Sequence, residues 1–354
     1  MNSLNRAMDP IVLIAIGYCL SFFMAINIGG NDAANPVDTA VGSGVLTIRQ
    51  ALMLFSLGVF AGALLQGSYV IKTVGKGIVP TIPLAGAVAT ILAAGSWVLI
   101  ATLKGMPIST SQSIVGGVIG VGLGMVLKGE LSLSDLNFGV LSNIVLSWII
   151  SPLSAIFLSL ILYMVFQKHL IKLETTAGGR RVIRMVMILT LLFSAYSFGA
   201  NDVANATGVY LFVTSKYLGL PDPYTMFILA SIGAAGIVVG GWSIGRKVID
   251  TVAYKITKLD YGTGVVAEAS NSLTVWLFTT IPSWLIGYGM PISTTHASVS
   301  SIIGVGIAKY GRKWFLSSKS VVLKIVFSWM LTLPITIIVG ALFYYVIGLL
   351  VGGL

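Results

Sequence analysis

Charge is scarce in this chain. Of 354 residues, 21 are Lys or Arg, 11 are Asp or Glu and two are His, so charged residues make up 9% and hydrophobic ones 56%. A soluble domain of this length would carry about 25% charged residues, so that class is excluded. The single cysteine, Cys19, excludes an intrachain disulfide and a thiolate metal cluster. The period-two alternation of a membrane barrel is missing as well. Because every backbone amide in lipid needs a partner within its own segment or barrel, the spanning elements must be helices.

What the chain does have is long apolar runs. Pro10 to Ile28, Leu136 to Phe166 and Ser320 to Val351 approach or exceed the roughly 20 residues that cross a bilayer. The first run leads into Gly29-Gly30-Asn31-Asp32 without a basic flank and small-residue cleavage site, so it reads as a retained helix. The formal net charge of +10 could suit nucleic acid, yet the basic residues are scattered through short polar stretches, and no nucleic-acid partner is expected. The densest stretch holds Lys168, Lys172, Arg180, Arg181 and Arg184, which the positive-inside rule assigns to the cytoplasm. The expected location is a cell inner (plasma) membrane, crossed many times.

Against this background a carboxylate motif appears twice. Gly30-Asn31-Asp32-Ala33-Ala34-Asn35 returns as Ala200-Asn201-Asp202-Val203-Ala204-Asn205, in a chain with almost no other acids in apolar surroundings. An acid at the centre of a membrane helix costs about 2.5 to 3.5 kcal/mol on insertion scales and marks an ion or substrate path by default. Further matches follow in the same order. Gly105-Met106-Pro107-Ile108-Ser109-Thr110-Ser111-Gln112 answers Gly289-Met290-Pro291-Ile292-Ser293-Thr294-Thr295-His296, and Ile144-Val145-Leu146-Ser147-Trp148 answers Ile325-Val326-Phe327-Ser328-Trp329, with Pro152 and Pro334 a few residues on.

Ordered matches mean duplication: a first repeat over 1–166, a basic cytoplasmic linker over 167–184, read as a loop carrying Gly178-Gly179, and a second repeat over 185–354. Asp32 lies one span from the N-terminus and Asp202 one span from the linker. If the N-terminus is outside, the halves are inverted, as in secondary transporters whose substrate sits near the midplane where repeats meet. Parallel repeats remain the alternative. Trp148 and Trp329 read as packing residues or interface anchors.

The two kinds of motif have opposite electrical character. Small residues, Asn and, in the first copy, Pro36 predict helices interrupted at both Asn-Asp motifs. Carboxylates of Asp32 and Asp202, amides of Asn31, Asn35, Asn201 and Asn205, and freed carbonyls would then offer hard oxygens to sodium. The competing role is ordinary helix capping. Pro107 and Pro291 suit a first helical position, which would place Ser109, Thr110, Ser111, Ser293, Thr294 and Thr295 in first turns. Helix N-termini carry partial positive charge and free N–H donors, a ready site for an anion, and two could bracket one tetrahedral oxyanion. Back-bonding to the helix's own turn is the competing role for these hydroxyls. Glu268, among small and apolar residues, is a further membrane acid able to ligate a cation, relay a proton or fix packing. Its counterpart region, Leu84 to Gly86, is apolar. His296 is matched by Gln112, so a shared hydrogen-bonding role is expected rather than titration.

No basic residue accompanies both copies: Lys104 precedes the first, where it reads as a snorkelling residue, and Tyr288 holds the matching place. Dipoles, hydroxyls and co-bound cations would have to hold the anion, which predicts coupled transport. Each sodium entering down a potential supplies about 2.3 kcal/mol per 100 mV, so more than one is wanted for a dianion.

At these residues the chain resembles the inorganic phosphate transporter (PiT) family, which carries both kinds of signature in both halves. Thr39-Ala40-Val41-Gly42-Ser43-Gly44-Val45 and Gly245-Arg246-Lys247-Val248-Ile249 extend the likeness over nearly the whole chain. The resemblance implies an all-α polytopic fold of two inverted repeats with broken helices and re-entrant hairpins, about 10–12 membrane segments in all. It also implies a homodimer and phosphate uptake coupled to sodium or protons. Asp32 and Asp202 would be its essential acids, Ser109, Thr110, Ser293 and Thr294 its phosphate-contacting hydroxyls, and Glu268 a functional glutamate. Asn31, Asn201, Ser111 and Thr295 join the phosphate set in this reading, and Asn35, Asn205 and Glu268 join Asp32 and Asp202 in the sodium set. The sequence Phe55-Ser56-Leu57-Gly58-Val59-Phe60 departs from eukaryotic relatives that carry glutamate there, and their large central loop is missing. Sulfate is the closest rival cargo. A channel or an intramembrane enzyme fits less well, since paired catalytic carboxylates do not call for Asn at each copy, and no organic cofactor is implied.

Overall fold

The computed structural model describes residues 10–74, 78–80, 82–219, 222–286 and 292–350. Its α-helices are α1 Pro10–Asp32, α2 Ala34–Gly42, α3 Ile48–Val74, α4 Leu84–Leu103, α5 Thr110–Leu127, α6 Phe138–Glu174, α7 Ala177–Leu218, α8 Pro223–Ser243, α9 Arg246–Lys255, α10 Tyr261–Ile286, α11 Thr294–Tyr310 and α12 Arg312–Leu350. No strand occurs among the described residues. Among the described residues, eight segments are long and apolar enough to cross a membrane. The chain is therefore an all-helical, multi-pass membrane protein.

Two expectations about helix breaks change. The first Asn-Asp motif does interrupt its helix: α1 ends at Asp32 and α2 starts at Ala34. Pro36 is the cause, because it has no N–H for the Asp32 carbonyl and its ring crowds that carbonyl. The second motif does not, since α7 runs without a break through Asn201, Asp202 and Asn205. With no proline after it, the backbone ladder closes.

The basic stretch expected to be a loop over 167–184 is also helical except for Thr175 and Thr176. Gly178 and Gly179 fall in the first turn of α7, where the Thr176 hydroxyl accepts the Gly179 N–H at 3.0 Å. An added Cβ on Gly179 would overlap the Leu173 carbonyl oxygen, so glycine permits a tight corner here rather than a flexible link.

Long helices pair along small residues. On α3, Gly58 and Gly62 meet Ala195 and the Tyr196 carbonyl of α7, whose own Gly199 meets the Val59 backbone. Gly29 of α1 and Gly240 of α8 each abut backbone of the other helix. Without a hydrophobic drive between helices in lipid, such backbone approach supplies the dispersion contacts. These seams set α1 and α7, which carry Asp32 and Asp202, beside one another.

Prolines inside α6 and α12 have a use. Pro152 removes the donor for the Trp148 carbonyl four residues back, and that carbonyl instead meets His296 Nδ1 at 3.3 Å. A carbonyl only accepts, so the imidazole proton lies on Nδ1.

Candidate functional site

The route into α5 is fixed by a single glycine and a single asparagine. Gly105, at φ +67, ends α4 in a left-handed turn in which Met106 N bonds Ala101 O and Gly105 N bonds Thr102 O, both at 2.9 Å. Asn31 then clamps the outgoing segment: its Nδ2 donates to Thr102 Oγ1 at 3.0 Å and Met106 O at 3.1 Å, and its Oδ1 accepts from Ile108 N at 3.0 Å. Asn31 was placed in the phosphate set from sequence. Here it holds the α5 entry, with both polar atoms already bonded.

Helices α5 and α11 start at Thr110 and Thr294, one residue after the serines Ser109 and Ser293. Each serine caps its helix, accepting from Gln112 N and His296 N respectively, both at 3.2 Å. Pro107 thus lies two residues ahead of the cap rather than in the first turn as expected. The serine has displaced it because its side-chain oxygen satisfies an amide that proline cannot. Pro291 lies outside the described residues. Capping leaves the amides of Thr110 and Ser111, and of Thr294 and Thr295, in the positions that intrahelical bonding does not reach.

The two helix tips face each other, and their contacts are reciprocal. The Ser111 hydroxyl donates to Ile292 O at 3.1 Å, and the Thr295 hydroxyl lies 3.0 Å from Ile108 O. Thr110 donates to Asp32 Oδ2 at 2.6 Å, and Thr294 lies 3.3 Å from Asp202 Oδ2. Asn205 Nδ2 reaches Ser111 Oγ at 3.1 Å, as Asn35 Nδ2 reaches Thr295 Oγ1 at 3.2 Å and Thr294 Oγ1 at 3.1 Å. Thr295 also lies 3.0 Å from Asp32 Oδ1, so one carboxylate is gripped from both halves. Equivalent residues of the two motifs thus make matching contacts on the two sides.

All of these side chains are buried, and Asp32 and Asp202 are fully so. Thr294 and Thr295, adjacent in the chain, reach Asp202 and Asp32 respectively, so the two carboxylates sit beside one another, and no Lys, Arg or His forms an ion pair with either among the described residues. Two acceptors, Asn35 Oδ1 and Asn201 Oδ1, have no donor. Buried negative charge with unmatched oxygens beside it calls for a cation, because an unpaired buried charge is far costlier than a paired one. Buried hydroxyls and capped helix tips nearby supply donors for an anion. Sodium fits this donor set, which is oxygen only, hard and flexible in number.

Glu268 lies elsewhere. Its carboxylate accepts from the Thr39 hydroxyl of α2 and interacts with Ser194 and Asp38. Asp38 was missed by sequence reasoning, which took the chain to hold almost no further buried acid. The signal was available, since Asp38 sits six residues past Asp32 in the same apolar run. The tryptophans are not interface anchors: Trp148 is buried, and Trp329 stacks on His296 at 4.0 Å between ring centroids and donates to Pro107 O at 3.2 Å.

Comparison with known proteins bears on this geometry. Residues 28–340 match the model of the phosphate transporter family. A Pyrococcus furiosus protein named "Putative phosphate permease" is 32% identical, with 97% of this chain and 98% of that protein aligned. The sulfate permease CysP of Bacillus subtilis is 32% identical over 83% of this chain and 77% of its own. Among solved structures, one titled "The sodium-dependent phosphate transporter" matches with a TM-score of 0.79 and 29% identity, covering 96% of this chain and 99% of that one.

Proposed function

This chain belongs to the phosphate transporter family, a family of transporters rather than enzymes, and we propose that it imports inorganic phosphate together with sodium by alternating access around a midplane site. The observation that carries this reading is the reciprocal meeting of the α5 and α11 tips over the Asp32 and Asp202 carboxylates. Phosphate takes the tip amides and the hydroxyls of Ser109, Thr110, Ser111, Ser293, Thr294 and Thr295, with Asn201 beside it. Sodium takes Asp32, Asn35, Asp202 and Asn205. Each ion neutralises the other, so neither has to enter a low-dielectric site alone.

The contacts of Asp32 suggest how coupling works. Thr110 and Thr295 hydroxyls donate to Asp32 in this structure. A sodium ion on the carboxylate releases them, because a metal-bound oxygen is a poorer acceptor, and they turn to the anion. Sodium first and phosphate second is the order that follows. The halves are read as inverted, with residues 167–184 on the cytoplasmic side of an inner membrane and two copies forming a dimer.

The test is phosphate uptake into proteoliposomes with sodium and pH gradients imposed separately. An inward sodium gradient should drive accumulation that a pH gradient alone does not; the reverse result would replace sodium by protons. Thr110→Val and Thr294→Val each remove one hydroxyl worth about 1.5 to 3 kcal/mol to a charged partner. Each is expected to raise the phosphate KM about 10- to 100-fold, read from initial uptake rates.

Sulfate is the second reading, favoured by the likeness to a sulfate permease. With both carboxylates on sodium, the discriminating group is Asn201 Oδ1, an acceptor without a donor among the described residues, to which hydrogen phosphate can give its proton and sulfate cannot. Excess sulfate should therefore leave labelled phosphate uptake intact, and full competition would move the assignment to sulfate.

A further inference from the structure

One peptide unit at the entry to α5 is gripped from both edges. The Pro107 carbonyl accepts from Trp329 Nε1 of α12 at 3.2 Å, and the Ile108 N–H across the same planar bond donates to Asn31 Oδ1 at 3.0 Å. The next residue, Ser109, caps the helix, so the plane of this unit sets where the free amides of Thr110 and Ser111 point. Trp329 also reaches the other tip: its ring lies 4.0 Å, centroid to centroid, from that of His296 in the first turn of α11.

Helix α12 is itself held at this level. It packs backbone to backbone on α5, where an added Cβ on Gly116 or Gly120 would come within 3.0 Å of the Leu333 or Ile337 carbonyl oxygen. Thr332, three residues past Trp329, accepts from Trp97 Nε1 of α4 at 3.1 Å. Trp329 therefore projects from a helix fixed against both α4 and α5. The equivalent tryptophan behaves differently. Trp148 of α6 is buried, its carbonyl meets His296 Nδ1, and its indole N–H has no acceptor among the described residues. Pro291, which matches Pro107 in the duplication, lies outside the described residues.

We propose that Trp329 is a positioning residue for the phosphate site: it keeps the α5 and α11 tips in register while the anion lies between them. The need arises from the direct bridges. Ser111 to Ile292 O and Thr295 to Ile108 O join the tips in this structure, and both hydroxyls belong to the set that phosphate takes. Once they turn to the anion, those bridges are gone. The Trp329 contacts use an indole N–H, the Pro107 carbonyl and an imidazole face. The cargo needs none of these groups, so the contacts persist in the loaded state. The positioning role rests on phosphate binding between the tips; the hold on the Pro107 carbonyl does not.

The experiment makes one substitution at two matched places. Trp329→Phe keeps a ring against His296 and deletes the N–H that Pro107 O accepts, whereas Trp148→Phe deletes an N–H that no described residue takes. Losing one hydrogen bond of this kind corresponds to about 2- to 10-fold in affinity, so Trp329→Phe should raise the phosphate KM by that factor in proteoliposome uptake. Half-saturating sodium and the maximal rate should stay near wild type, and Trp148→Phe should match wild type throughout. Hydrogen–deuterium exchange of the substrate-free protein gives a second readout: amides over 106–112 should exchange faster in Trp329→Phe alone. An unchanged KM or unchanged exchange in Trp329→Phe would overturn the proposal, as would equal effects from the two substitutions. A wild type that takes up no phosphate would count against the transport reading instead, and the exchange comparison would still decide the hold on Pro107.

Discussion

Asp32→Asn is expected to cut sodium-dependent phosphate uptake at least about 100-fold while leaving a folded, monodisperse protein. The Asp32 carboxylate is fully buried and accepts from Thr110 at 2.6 Å and Thr295 at 3.0 Å, one hydroxyl from each half. Hydrogen bonds to a charged group are worth about 1.5 to 3 kcal/mol each, and tenfold in affinity is about 1.4 kcal/mol. Removing the charge takes away the cation's principal ligand and weakens the grip on both helix tips at once. Folding should survive, because asparagine keeps the shape and a buried carboxylate without a counter-ion contributes little to stability. Asp202→Asn should act in the same direction. The measurement is initial uptake in proteoliposomes under an inside-negative potential, together with sodium titration of the residual rate. Wild-type uptake in both variants would end the assigned role, and a loss accompanied by a large drop in unfolding midpoint would move the effect to folding.

Much of this site could be read from the sequence, and the reasons are physical. An acid in an apolar run is costly wherever the fold puts it, so Asp32 and Asp202 declared themselves without any structure. Ser-Thr clusters after Pro107 and Pro291 likewise marked the α5 and α11 tips. What the residues could not reveal is which polar atoms would find partners first. Asn31 and Asn201 are equivalent in the duplicated motif, yet Asn31 is fully bonded at the α5 entry while Asn201 Oδ1 has no donor. That difference arises from the path of the α4–α5 connection, a tertiary matter. Backbone continuity was equally hidden: the same Asn-Asp pair breaks α1 and sits within an unbroken α7, because only the first copy is followed by proline. Residues 167–184 show the opposite failure. Charge and paired glycines suggested a loop, and neighbouring helices made them a corner.

Gly62→Leu is expected to lower stability by more than about 3 kcal/mol and to reduce the yield of folded protein severely, the upper end of overpacking effects. Gly62 of α3 meets α7 where an added Cβ would overlap the Tyr196 carbonyl and lie 2.9 Å from Ala200 N. The obstacle is main chain, so no rotamer change can make room. Gly58 one turn earlier and Gly199 opposite face the same restriction, which means the whole seam must open for one side chain to fit. Opening it moves Ala200, and with it the next two residues, Asn201 and Asp202. Structure and site are thus held by one contact. The comparison is Leu65→Phe on the same helix, where the side chain is 71% exposed and a larger ring meets no backbone; it should leave the unfolding midpoint nearly unchanged. A milder variant, Gly62→Ala, separates the two consequences. If α3 positions Asp202, the protein that folds should need more sodium for half-maximal uptake, and an unaltered sodium requirement would restrict Gly62 to stability alone.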